Sequence, residues 1–117
     1  MDPIENALET FVETSEAIGA MVVGRDGLVL CRTGGLGEDV DAIGALASSA
    51  LKMPESLAEQ LDAGNVVQVA IQLEQGLATL EALSDSYFLV VVAGMDANLG
   101  LIRYAVKRHK PELLGLL

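Results

Sequence analysis

Between Asp41 and Met53 the chain is apolar or small on almost every side, and this stretch constrains the fold more than any other. Nothing in it breaks a helix except Gly44, which a helix tolerates. A surface helix of a globular domain shows one apolar stripe and one charged face, whereas here the next charge after Asp41 comes only at Lys52. A helix that is apolar all round must be covered on both sides. We therefore expect the chain's own sheet to cover one side and a second molecule to cover the other.

The composition fits one small domain, residues 1–117, that uses part of its apolar surface at an interface. Hydrophobic residues make up 51% of the chain and aromatic residues 3%, so the core is built from aliphatic side chains. A domain of this size has little interior per unit of surface. No apolar run reaches the roughly 20 residues that span a bilayer, which predicts no membrane insertion. The single cysteine, Cys31, cannot form an internal disulfide, and a reducing compartment such as the cytoplasm fits.

The net charge of −10 argues against nucleic acid as a partner, because binding to nucleic acid depends mainly on Lys and Arg. Four of the seven basic residues nevertheless lie between Arg103 and Lys110. Cations near a helix C-terminus are favourably placed, so we interpret this basic run as a solvated helix face.

Turn signals and hydrophobic periodicity predict the element order helix, strand, strand, helix, strand, strand, strand, helix. The predicted strands are Ala20–Val23, Leu28–Thr33, Val66–Leu73, Leu77–Leu83 and Tyr87–Ala93. Every connection in the sheet except the second helix can be a tight turn, so we expect an antiparallel sheet. Both of its faces are apolar, so helices should cover both. The expected fold class is α/β, as an α+β two-sided sandwich with a five-stranded antiparallel sheet and helices on both faces.

Two of the strands differ in their expected exposure. In Val66–Leu73, apolar residues alternate with polar or small ones, which predicts a strand with one buried face. Tyr87–Ala93 is continuously apolar, which predicts a central strand that is covered on both faces.

Prolines and capping residues predict where the helices begin and end. Asp2 caps the first helix, and Asp96 or Asn98 caps the last. Pro54 predicts a kink or a short break in the second helix, and Pro111 is expected to end or kink the last one, because proline lacks an N–H and disfavours helical geometry in the preceding residue. The leucines after Pro111 are expected to fold back onto the body of the domain.

Residues that carry chemistry are scarce, and no metal-ligand spacing occurs. His109 is the only histidine and lies in the basic run, where we expect a solvated side chain rather than a general base, while Cys31 is expected to be a small buried hydrophobe. Gly34–Gly37 lacks the Lys-Ser/Thr of a phosphate-binding loop and is interpreted as a linker. Arg25 is interpreted as an exposed turn residue, with an arginine finger as the alternative. We therefore predict no enzyme, no catalytic residue, no cofactor and no metal.

Three segments together resemble the roadblock/dynein light chain domain family, in particular its bacterial small-GTPase regulators. They are Ala20–Leu30, the strand pair Gly64–Leu83, and Leu89–Ala93 leading into Asn98–Arg103. The resemblance extends from Ile4 to Lys110. It implies a profilin- and longin-like fold and non-enzymatic dimers, in which the third strands pair edge to edge and the second helices pack against each other.

Carried onto this sequence, the resemblance places the pairing edge at Val66–Leu73 and the helix seam at Ala42–Leu51. Both agree with the pattern of the residues, because an exposed edge strand invites pairing and the apolar helix needs a cover. The predicted dimer interface consists of Ile43, Leu46, Ala47, Ala50, Leu51, Val66, Gln68, Ala70 and Gln72. An arginine at position 47 or 50 is expected to disrupt the seam, since a buried unpaired charge is costly.

The resemblance implies a homodimeric, non-enzymatic regulator or scaffold of a Ras-like small GTPase, acting as an activator or an adaptor. One alternative is a structural adaptor that joins other proteins without affecting GTP turnover. Another is a small-molecule sensor, which would need a pocket with converging polar groups; the candidates in the strands are Gln68, Thr79 and Glu81. The sequence identifies neither the GTPase nor whether the second chain is a copy or a paralogue.

Overall fold

The computed structural model describes residues 2–117, which form eight elements in the predicted order. They are α1 (Pro3–Ser15), β1 (Gly19–Gly24), β2 (Val29–Gly34), α2 (Val40–Leu61), β3 (Gln68–Leu73), β4 (Gly76–Ala82), β5 (Tyr87–Ala93) and α3 (Leu99–Leu116). The strands form one sheet in the order β2-β1-β5-β4-β3, and every neighbouring pair is antiparallel. The predicted fold class is confirmed. β2 and β3 are the two edges, and α2 carries the chain from one edge to the other.

Helices cover both faces of the sheet, as predicted, and each face has its own core. The first core packs α1 and α3 against the sheet, with Phe11 and Ile102 among its fully buried side chains. The second core packs α2 against the opposite face, around Leu51 and Phe88. Because side chains alternate along a strand, β1 contributes to both cores, and all six of its residues are buried.

The strand β5 lies inside the sheet between β1 and β4, as its apolar sequence predicts. The prediction of a buried face for the third strand is wrong. β3 begins at Gln68 rather than Val66, and Ala70, Ile71, Gln72 and Leu73 are all exposed. The main contacts of α2 with the sheet are to β1 and β2, so the helix leaves the apolar side of β3 open.

The predicted break at Pro54 and the predicted helix end at Pro111 do not occur, because α2 continues through Pro54 and α3 through Pro111. A proline removes one intrahelical hydrogen bond, and in each helix tertiary contacts hold the chain on both sides of it. In α2 these are the burial of Leu51 and an ion pair to Glu55. In α3 the flanking residues at positions 109 and 113 are both buried.

The terminal leucines therefore extend α3 instead of folding back. Leu113 is fully buried, whereas Leu114, Leu116 and Leu117 are exposed. The helix begins at the predicted cap Asn98, whose side chain accepts a hydrogen bond of 3.1 Å from the Leu101 N–H.

Candidate interaction surface

The helix α2 has two apolar faces and one polar face. Its buried face packs on the sheet through Val40, Gly44, Ala47, Ser48 and Leu51. At 3.6 residues per turn, a second row lies about 120° around the helix from the first. This outer row consists of Leu46, Ala50, Met53, Leu57 and Leu61, and its four large side chains are between 60% and 80% exposed. The third face carries charges, among them Lys52 and Glu59.

Small residues on the buried face bring α2 close to the β1–β2 hairpin. A Cβ atom on Gly44 would lie 2.7 Å from Val29 Cγ2 and 3.2 Å from the Gly27 carbonyl oxygen. One turn further on, the Ser48 hydroxyl donates a hydrogen bond of 2.7 Å to the Arg25 carbonyl. The small residues of this helix therefore serve packing within the chain.

The structure divides the predicted helix seam between these two faces. Ala47 and Leu51 are 8% and 2% exposed and belong to the second core, and Ile43 packs against the same core. Leu46 and Ala50 lie on the outer row and are exposed. The remaining members of that row, Met53, Leu57 and Leu61, were not among the predicted interface residues. Their signal in the sequence is the spacing of three or four residues that continues from Leu46.

The strand β3 presents an apolar side next to the outer row. In its register with β4, Gln68, Ala70 and Gln72 lie on the side of α1 and α3, and Val69, Ile71 and Leu73 lie on the side of α2. Val66, the remaining predicted residue, is half-buried just before the strand. The exposed Val67 lines the same cavity as Leu57 and Leu61. We use the name open apolar surface for the outer row together with Val67, Ile71 and Leu73.

The other side of β3 carries a polar cluster that links β3, β4 and α3. Glu81 is 3% exposed, and the Gln68 amide nitrogen donates to both of its carboxylate oxygens at 3.0 and 2.7 Å. Arg103 Nε donates a hydrogen bond of 2.9 Å to the Gln68 amide oxygen. Burial raises the pKa of the Glu81 carboxyl above its usual 4.5. The Thr79 hydroxyl, the Gln68 amide and the charges of Arg103 and Lys110 offset part of that rise.

The Arg25 side chain is held by contacts within the chain, so it is not the exposed turn residue expected from the sequence. Its guanidinium forms an ion pair of 2.5 Å with Glu55 and donates a hydrogen bond of 3.0 Å to the Ser84 carbonyl. It also lies 5.9 Å from the ring centroid of Phe88. Arg25 thus joins the β1–β2 turn, the β4–β5 turn and α2. Its guanidinium is committed to contacts within the chain, which does not favour an arginine finger.

The expectation of a solvated His109 is wrong. His109 is buried between α3 and α1, with Nε2 2.9 Å from the Thr14 hydroxyl oxygen. Its ring lies edge-on to Phe11, with centroids 6.3 Å apart. His109 lies seven residues after the buried Ile102 and four before the buried Leu113, so the three share one face of α3. That face packs against α1. This histidine is part of the core.

Cys31 is buried, as predicted. Burial raises the pKa of its thiol to about 11, so the thiol stays protonated near neutral pH and is a weak nucleophile. Within residues 2–117, no group of three or more His, Cys, Asp and Glu side chains is placed to hold a metal ion. Over the same range, none of the helices has both the length and the hydropathy needed to traverse a bilayer.

The fold and this surface define a class of protein, the roadblock/profilin-like sandwich with one open edge strand and an apolar crossover helix. Residues 3–93 match the family model of the Roadblock/LC7 domain, and the chain belongs to that family. It is 36% identical over 113 residues to the Methanocaldococcus jannaschii protein MJ0310, an alignment that covers 97% of this chain and 98% of that relative.

Solved structures of similar fold include MglB with a tetrameric arrangement, with a TM-score of 0.88 and 22% identity over 97% of this chain and 86% of that chain. The gliding protein MglB from Thermus thermophilus has a TM-score of 0.88 at 21% identity, over 97% and 87% of the two chains. Acanthamoeba castellanii profilin II has a TM-score of 0.64 at 16% identity, over 95% and 96%. The predicted roadblock- and profilin-like fold is therefore confirmed.

Proposed function

We propose that two copies of this chain pair through the open apolar surface and the β3 edge, and that the dimer regulates or scaffolds a Ras-like small GTPase without itself catalysing a reaction. The observation that carries this proposal is that the outer row of α2 lies on the same side of the sheet as the apolar residues of an exposed edge strand. Contiguous apolar patches of this kind mark interaction sites.

The two edges of the sheet differ in ways that favour pairing at β3. β2 carries the exposed Arg32 in its middle, and its register with β1 shifts between Val22 and Val23. Charges and bulges discourage edge-to-edge pairing. β3 pairs with β4 in unbroken register from Gln68 to Leu73 and contains no charged residue. An added strand would therefore meet an uncharged, regular edge at β3.

A second copy suits this surface electrostatically. Each chain carries a net charge of −10, so most of its surface would repel a second copy. The outer row and β3 contain no charge, so pairing there brings only uncharged surfaces together, in the isologous arrangement that two-fold dimers use. The tetrameric arrangement of the structurally similar MglB supports self-association in this fold.

The interface is tested by placing a charge on the outer row. We expect Met53→Glu to convert the dimer to monomer in sedimentation at a protein concentration where the unaltered chain is dimeric. The matched control is Leu28→Glu, since Leu28 is 72% exposed and lies at the β1–β2 hairpin; this variant should remain dimeric. An unaltered chain that sediments at 12.2 kDa at high concentration would overturn the pairing.

Membership of the Roadblock/LC7 family and the structural similarity to the gliding protein MglB support a GTPase as the partner. We expect this regulation in the cytoplasm, where the single Cys31 stays reduced. The test adds the purified dimer to a Ras-like GTPase from the same genome and measures complex formation and single-turnover GTP hydrolysis. A changed rate supports regulation, and a complex with an unchanged rate supports scaffolding. Neither complex formation nor a changed rate would refute the proposed GTPase partner.

A further inference from the structure

A cavity of about 780 Å³ lies between the C-terminal half of α2, the start of β3 and α3. Cavities of this size hold small molecules. One side of it is apolar, formed by Leu57 and Leu61 of α2, Val66 and Val67 before β3, and Val106 of α3. The cavity is therefore large enough for a ligand that has an apolar part.

The helix α3 also brings positive charge to the cavity. Arg103, Lys107 and Lys110 line it from α3, where their spacing of three and four residues places them on one helix face. The only ion pair among residues 2–117 is that between Arg25 and Glu55. The three cations therefore face the cavity with no carboxylate within 4 Å, in a chain that has 17 acidic residues.

The polar cluster keeps these cations available. Glu81 is the one carboxylate in the lining, and its oxygens accept from the Gln68 amide nitrogen. The Gln68 amide oxygen in turn accepts from Arg103 Nε. The amide thus stands between the buried carboxylate and the guanidinium. Arg103 is anchored through one nitrogen, while its two terminal nitrogens have no hydrogen-bond partner within residues 2–117. A guanidinium fixed in this way can still bind a carboxylate with both terminal nitrogens.

We infer that this cavity binds a small amphipathic anion, namely a carboxylate on an apolar chain of medium length. The carboxylate meets Arg103 and Lys107, and the apolar chain lies against Val66 and Val106. The site goes beyond the proposed function, because Val66 and Val106 lie outside the open apolar surface. The anion contacts on α3 also lie outside the residues proposed to pair.

Isothermal titration calorimetry with decanoate tests the inference, with decan-1-ol as the uncharged probe of similar length. Decanoate is expected to bind saturably, with one site per chain, and decan-1-ol roughly tenfold or more weakly, because a charge-assisted contact is lost. Lys107→Glu should weaken decanoate binding by a similar factor. The control is Arg108→Glu, an exposed residue of α3 outside the cavity lining, which should leave binding unchanged.

Equal binding of the two probes, the absence of saturable binding, or equal losses in the two charge-reversal variants would each overturn the inference. Binding of an acidic, apolar peptide in place of decanoate would also overturn it and would assign the cavity to a protein partner. Sedimentation of the same samples separates this inference from the proposed dimer. Saturable binding to a monomer would refute only the dimer, and an intact dimer that binds no decanoate would refute only the site.

Discussion

The two apolar faces of α2 are built from side chains of different size. The buried face approaches the β1–β2 hairpin through Gly44, Ala47 and Ser48, and small residues are what such a close approach requires. The outer row carries leucines and a methionine, which offer apolar area at about 25 cal/mol per Å² if a partner removes it from water. The difference teaches that α2 needs small residues only where it lies against the hairpin, while the exposed leucines and methionine of its outer row are left for a partner.

The largest expected effect comes from a charge on the buried face. Ala47→Arg should lower the free energy of unfolding by about 3 kcal/mol or more, because the cation would lie unpaired in the second core. Urea denaturation of the variant and of the unaltered chain, monitored by circular dichroism at equal concentration, measures this loss. A variant with unaltered unfolding would show that position 47 is not part of the core and would remove the difference between the two faces.

The same substitution one turn away separates folding from pairing. Ala50 is exposed on the outer row, so Ala50→Arg should leave the unfolding of the monomer close to that of the unaltered chain. It should weaken dimerisation by roughly 100-fold, or about 3 kcal/mol, measured by sedimentation over a dilution series. If Ala50→Arg instead remained dimeric, the proposed seam would not include the outer row.

A smaller effect is expected at the point where α2 comes closest to β2. Gly44→Ala gains about 1 kcal/mol of helix propensity, but its Cβ would meet the stiff Val29 side chain and a backbone carbonyl. Overpacking costs about 1–3 kcal/mol, so we expect a net loss of stability on the order of 1 kcal/mol in urea denaturation. Ser49→Ala, on the exposed face of α2, is the control and should not lose stability. A stabilised Gly44→Ala variant would mean that the β1–β2 hairpin shifts to make room for the added methyl group.

Much of the fold could be predicted from the sequence, because the decisive signals are local. The continuously apolar segment predicted as a strand, Tyr87–Ala93, matches β5 at both ends. Asn98, one of the two predicted caps, is the cap of α3. The errors lie where tertiary contacts override a local preference. Pro54 and Pro111 both lie inside unbroken helices, and His109 is held in the core by its contacts with Thr14 and Phe11 of α1.

The interaction surface could be predicted only in part. An apolar helix with two faces indicates that both need a cover, but periodicity alone does not indicate which face meets the sheet. Ala47 and Leu51 were predicted on the partner's side and lie in the core. The contact of Arg103 with Gln68 joins residues 35 positions apart, and no local pattern in the sequence links them.

The smallest effect concerns the polar side of β3 and the pH dependence of stability. Because the pKa of Glu81 is raised in the folded chain, the folded state holds this proton more tightly than the unfolded state. The contribution of Glu81 to the free energy of unfolding should therefore fall as pH rises from about 4.5 through the raised folded-state pKa, and then level off.

Glu81→Gln isolates this contribution from the other acidic residues, since glutamine carries no titrating proton at that position. The difference in free energy of unfolding, variant minus unaltered chain, should grow with rising pH across the window and become constant above it. Urea denaturation at a series of pH values gives both curves. A constant difference would show that the neighbouring hydrogen bonds and positive charges fully offset the burial of the carboxylate. A falling difference would show that they outweigh it. In the second case the Glu81 carboxylate would itself act as the anion bound between β3 and β4. The cations of α3 would then be less available to a ligand.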